Sequence, residues 1–172
     1  WTLATYMLKL KKIDNNLDIN KFKNLDEIEE LIKKLTLAIK VHIKNQFNSG
    51  IDVLQIFDSW SGIIPNSYLK KFCFEPNKEL VKYCKDLGLP VICFTKGIGK
   101  NLKHFNDFVQ PSGISIDQKV DPIWARDNLK DTCIQGGLDP ELLLGDEKKL
   151  IKEVDKFLDI FDKEPYIFNL GH

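Results

Sequence analysis

The sequence predicts an α/β fold in which helices pack against a parallel sheet. Short, near-continuous apolar runs recur along the chain, as strands buried on both faces require. Between consecutive runs the apolar residues return at helical spacing, so strand and helix alternate at least four times. No G-x-G-x-x-G or Walker signature follows any of the runs, which favours a (β/α) barrel over the nucleotide-binding doubly wound sheets.

Each element has its own local cause. Over residues 25–48, Ile28, Leu31, Ile32, Leu35, Ile39, Ile43 and Phe47 form one helical stripe. Asn24, with Glu27 three residues later, starts this helix and Gly50 stops it. Residues 53–57 make a short apolar run bounded by Gly50 and by Asp58-Ser59, too short for a helix and suited to a buried strand. Helical segments over 66–87, interrupted near Pro76 and ended by Gly88, lead to a second strand at 91–95, closed by Lys96-Gly97. A helix carrying Leu102, Phe105 and Val109 precedes a strand at 114–116. Asp121-Pro122 opens the next helix, followed by a strand at 133–135. Asp139-Pro140 opens a short helical turn, residues 147–163 form an amphipathic helix, and 166–170 read as a last strand. Residues 9–24, rich in lysine and asparagine, read as a surface loop.

The chain has 172 residues, whereas a complete (β/α)8 TIM-type barrel needs roughly 250. About five strands are legible, with a possible sixth cut off at Trp1. Residues 1–172 are therefore expected to be a single partial barrel domain. Twenty-five basic side chains balance 25 acidic ones, and 43% of residues are hydrophobic. That balance carries no footprint of nucleic-acid binding, and no run approaches the roughly 18 apolar residues of a membrane span. Cys73, Cys84, Cys93 and Cys133 include no C-x-x-C pair, so reduced and mostly buried thiols are expected rather than a zinc knuckle or a disulfide framework.

In a parallel barrel, reactive groups gather where strands hand over to the following loops. The polar residues there are Asp58, Ser59, Lys96, Asp117, Gln135, Asn169 and His172. Each has an ordinary alternative: an aspartate at a strand end commonly caps a helix, and a serine without a base in reach is no nucleophile. His42 and His104 fall within helices and are expected at the surface.

Taken together, five segments say more. Trp1–Met7, Gln55–Gly62, Phe94–Gly97, Gln135–Pro140 and Phe168–His172 resemble, in order and spacing, motifs of the uroporphyrinogen decarboxylase family. The resemblance runs through the whole chain and covers the C-terminal half to two-thirds of that enzyme. It implies a TIM-type barrel, usually a homodimer, that removes the four acetate carboxyls of uroporphyrinogen III to give coproporphyrinogen III in heme and tetrapyrrole synthesis. It implies no metal or organic cofactor, and a place in the cytoplasm or a plastid stroma. By the same resemblance Tyr6, Ser59 and His172 are substrate-binding donors. The family's central aspartate and its carboxylate-clamping arginines would lie upstream, leaving no catalytic residue here. Arg126 is the only arginine and is expected on an outer helix.

Two departures stand out: the family commonly has asparagine where Gly137 stands, and an aspartate-tryptophan pair where Asp117-Gln118 stands. The nearest alternative is a cobalamin-dependent methyltransferase of related barrel fold, whose zinc site includes a His-x-Cys pair. Phe94 and Lys96 occupy the corresponding places, and neither can serve as imidazole or thiolate ligand. A third reading is a non-catalytic, decarboxylase-like binding domain.

Overall fold

The structure, a computed structural model, describes residues 1–8 and 25–172. The predicted loop at 9–24 and the cap at Asn24 lie outside the described residues. Five strands form one sheet: β1 (Leu54–Asp58), β2 (Val91–Thr95), β3 (Gly113–Ile116), β4 (Cys133–Gly136) and β5 (Tyr166–Ile167). All neighbouring pairs are parallel, and the order is β1-β2-β3-β4-β5. A doubly wound sheet reverses its strand order at a switch point. Here the order never reverses, so right-handed crossovers place the connecting helices on one face, as in a barrel wall.

The strand register sorts the side chains. Ile56, Cys93, Ile114, Ile134 and Tyr166 are in register on one face and join the main hydrophobic core beneath the helices. Phe57, Phe94, Ser115, Gln135 and Ile167 occupy the opposite, inner face. The helix side is packed by Leu80, Val81 and Cys84 of α4 (Glu75–Asp86) and by Leu102 and Phe105 of α5 (Asn101–Val109). α2 (Leu25–Asn48) buries Ile28, Ile32 and Ile43 of its predicted stripe, together with Thr36, and packs on α4.

Several predicted boundaries correspond to observed caps. Asp121 accepts a hydrogen bond from the Trp124 amide at 2.7 Å and starts α6 (Pro122–Asn128). Asp146 does the same for Lys149 at 3.0 Å and starts α7 (Glu147–Phe161). The interruption near Pro76 is a π-helical turn, Lys70–Phe74, between α3 (Asn66–Leu69) and α4. Proline has no amide to give the preceding turn, and a wider turn accommodates that loss. Asn77 Nδ2 then donates to the Cys73 carbonyl at 2.8 Å.

Two expectations are corrected. The possible sixth strand cut off at Trp1 is not seen among the described residues, where Thr2–Met7 is α1. Trp1, Ala4, Thr5 and Leu8 recur at helical spacing on its buried side, and the Asp58 carboxylate receives the Thr2 amide at 2.8 Å, closing the helix start. The last strand is Tyr166–Ile167, not 166–170. Asn169 Oδ1 accepts from the Leu170 amide, so this donor is taken by a neighbouring side chain instead of joining the ladder, and Leu170 meets Leu138 only as an isolated bridge. All four cysteines are free; Cys73, Cys84 and Cys93 are buried, and burial raises the Cys84 thiol pKa to about 11.

Candidate functional site

The C-terminal ends of β1, β2 and β3 open into a cavity of about 460 Å³. Its walls are Ser59 and Trp60 after β1, Lys96 after β2, Gln118 and Lys119 after β3, and His172. This is the face on which the sequence places reactive groups.

Backbone bonds fix the loops that form the walls. Gly62 N donates to the Lys96 carbonyl at 2.8 Å, and Ser61 Oγ reaches the same oxygen at 3.2 Å. The first two loops cross so closely that a Cβ on Gly62 would sit 2.9 Å from the Gly97 backbone. Only glycine permits that approach. The third loop is joined by Asp117, 5% exposed, whose Oδ2 accepts from the Gly97 amide and Oδ1 from the Lys119 amide, both at 2.9 Å. Gly171 packs against the Gln118 backbone, where a Cβ would come within 2.7 Å of the Gln118 nitrogen. This contact delivers His172 to the cavity, with its ring edge-on to Phe94 at 5.7 Å.

Of the residues predicted to bind substrate, Ser59 and His172 therefore meet at one cavity. Tyr6 stands one shell away, 64% exposed on α1, with its ring edge-on to Trp60 at 6.2 Å. Its hydroxyl accepts from Trp60 Nε1 at 3.3 Å, leaving its own proton free to donate.

The other strand-end residues divide. Asp58 is buried and turns away from the cavity toward α1, where it accepts from the Thr2 amide and hydroxyl, both at 2.8 Å. Asp117 lines the cavity, with each carboxylate oxygen accepting one backbone amide. Gln135 lies on the inner face and donates to Ser115 Oγ at 3.4 Å, and Asn169 bonds its neighbour's amide. His42 and His104 are exposed on helices, and Arg126 pairs with Asp127 on α6. Among the described residues, no three His, Cys, Asp or Glu side chains converge as a metal-ligand set.

Residue-by-residue reading missed Trp60 and Lys119 as cavity walls. Trp60 lay inside a recognised motif, two residues past the end of β1. Lys119 follows Asp117 in a local turn, but its place at the cavity depends on the long-range bond that ties Asp117 to Gly97.

A family model described as "Uroporphyrinogen decarboxylase (URO-D)" matches residues 1–172, the entire chain. The chain belongs to the uroporphyrinogen decarboxylase family. The protein named uroporphyrinogen decarboxylase in Rickettsia bellii (strain RML369-C) is 36% identical over 180 residues, covering 100% of this chain and 52% of that protein. Those of the same name in Rhodobacter capsulatus and Cereibacter sphaeroides (strain ATCC 17025) are 33% and 30% identical over 178 residues, with the same coverage. The chain thus spans about half the length of the curated relatives it matches. Family membership accords with the parallel α/β sheet and its barrel-like strand order. It also bears on the departures: Gly137 packs against Ile116 and Phe157 on the helix side, whereas Gln118 lies at the cavity itself.

Proposed function

We propose that this chain forms the C-terminal part of a uroporphyrinogen decarboxylase, a single partial domain that belongs to one closed barrel, and supplies part of its substrate cavity. The observation that carries the reading is the meeting of Ser59 and His172, from distant motifs of one family, at a single cavity on the strand-end face.

The chemistry needs no prosthetic group. A proton added to a pyrrole carbon makes the ring cationic. The bond between the acetate methylene and its carboxylate then breaks, carbon dioxide leaves, and the electron pair neutralises the ring. The exocyclic methylene takes a proton to become methyl, and the ring carbon gives up the proton it first gained, which restores the neutral aromatic pyrrole. The protein's work is to hold a polycarboxylate, orient one acetate and favour the cationic ring. Ser59, His172 and Tyr6 contribute neutral or cationic donors for substrate carboxylates, with the proton donor and arginine clamps in the upstream half. The same reading carries a homodimer, with residence in the cytoplasm or a plastid stroma.

The test is to incubate the longer protein containing this chain with uroporphyrinogen III, before and after exhaustive chelation, and to resolve the oxidised products by chromatography. The expected product is the tetracarboxylate, at an unchanged rate after chelation. A zinc ion whose removal abolishes turnover, or methyl transfer to a thiol, would overturn the reading in favour of the methyltransferase. Tight substrate binding without turnover would favour the non-catalytic domain.

A further inference from the structure

We infer that Lys96 and Lys119 form a cationic pair that holds non-reacting carboxylates of the substrate, and that Asp117 is the positioning residue for both. The inference rests on the proposed decarboxylase reading and assigns a role to side chains outside the three donors.

Both lysines line the 460 Å³ cavity, and neither makes an ion pair among the described residues. Their backbones are held in place. The Lys96 carbonyl accepts from Gly62 N and Ser61 Oγ, while the next amide, that of Gly97, donates to Asp117. The Lys119 amide donates to the other oxygen of the same carboxylate. One buried Asp117 side chain thus couples two loops that each contribute a lysine to the cavity lining. Each of its oxygens accepts a backbone amide, and this bonding makes its role one of alignment.

The reaction decides which carboxylates the lysines take. An ammonium paired to the departing acetate would stabilise the carboxylate charge that must flow into the ring, and so would oppose carbon–carbon cleavage. Cations help only on groups that keep their charge throughout. These contacts bind ground state and transition state alike, and their loss should raise KM while sparing kcat.

The experiment uses the longer protein with Lys96→Met, Lys119→Met, the double variant and the charge-keeping Lys96→Arg and Lys119→Arg. Steady-state decarboxylation is measured alongside fluorescence titration with oxidised octacarboxylate and tetracarboxylate porphyrins. Each methionine variant should raise KM and both porphyrin dissociation constants about 5- to 20-fold, with kcat within threefold; the arginine variants should remain near wild type. The salt dependence of binding should become shallower in the double variant. Asp117→Asn should raise KM in the wild-type background and have little further effect on KM when both lysines are absent, as expected for coupled groups. Unchanged KM and dissociation constants in the double variant overturn the inference, as does a loss confined to kcat. If the wild-type protein binds both porphyrins but decarboxylates nothing, lysine-dependent binding still supports the pair while the decarboxylase reading fails. If it binds neither porphyrin, both fall.

Discussion

His172 and Ser59 line the cavity while Tyr6 contacts its wall residue Trp60, and substitutions at the three should fail in different ways. His172 is carried in by the Gly171–Gln118 contact and stands edge-on to Phe94. His172→Asn keeps a neutral donor, whereas His172→Glu sets a negative charge against a carboxylate ligand. Glu should therefore be the more damaging, with the added repulsion on the order of a few kcal/mol in a partly desolvated cleft. Ser59→Ala removes one neutral donor and should cost about 1 kcal/mol of binding. Tyr6→Phe leaves the ring against Trp60 but removes the acceptor for its indole N–H, so turnover should fall while the melting temperature holds. Steady-state decarboxylation and thermal melting of each variant of the longer protein check these outcomes. Wild-type kinetics in His172→Glu would remove that residue from the site. Losses that track melting in every variant would give all three a purely structural role.

At the scale of elements, Gly137 shows how a motif position depends on its neighbours. It follows β4 with φ +105°, and a Cβ there would lie 2.9 Å from Ile116 Cδ1 and 3.1 Å from Phe157 Cε1. Gly137→Asn should thus lower stability by about 1 to 3 kcal/mol through overpacking, with backbone strain added. Ile116→Val removes the nearest methyl and should recover part of that loss in the double variant, although Ile116→Val alone costs about 1 kcal/mol. Denaturant unfolding of the four proteins measures the coupling; strict additivity would mean that the side chain finds another path. Elements of this kind also show what the sequence can and cannot reveal. β2 is legible because Val91–Thr95 is uninterrupted, and α6 because Asp121 caps it from within the local chain. α1 is hidden because its closing acceptor, Asp58, belongs to a distant strand end. Ser59 and His172 are recognisable as motif residues, yet Lys119 becomes a cavity wall only because Asp117, which accepts its amide locally, is also tied to Gly97 of a distant loop.

Across the whole molecule, the sheet has two faces of unequal completeness. The helix-facing side is densely packed, whereas on the inner face Phe57 of β1 is 61% exposed and Ile167 of β5 is 41% exposed. β1 and β5 each pair on one side only among the described residues. In a closed barrel the inner face is filled by layers of side chains from alternate strands. Unpaired edges and bare apolar rings are sites of self-association. The 172-residue polypeptide on its own should therefore bind a hydrophobic dye, sediment as species larger than its 19.9 kDa monomer and show no decarboxylation. Phe57 supplies a sign test, because one substitution should act in opposite directions in the two settings. In the isolated polypeptide, Phe57→Ser should reduce dye binding and association by removing an exposed ring. In the longer protein, where barrel closure would cover that ring beside Phe94, the same change should lower stability by about 3 kcal/mol. Sedimentation and dye fluorescence on the isolated polypeptide, with denaturant unfolding of the longer protein, read the two signs. A neutral effect in the longer protein would mean that Phe57 stays exposed there and that this face of the sheet is not the inside of a barrel.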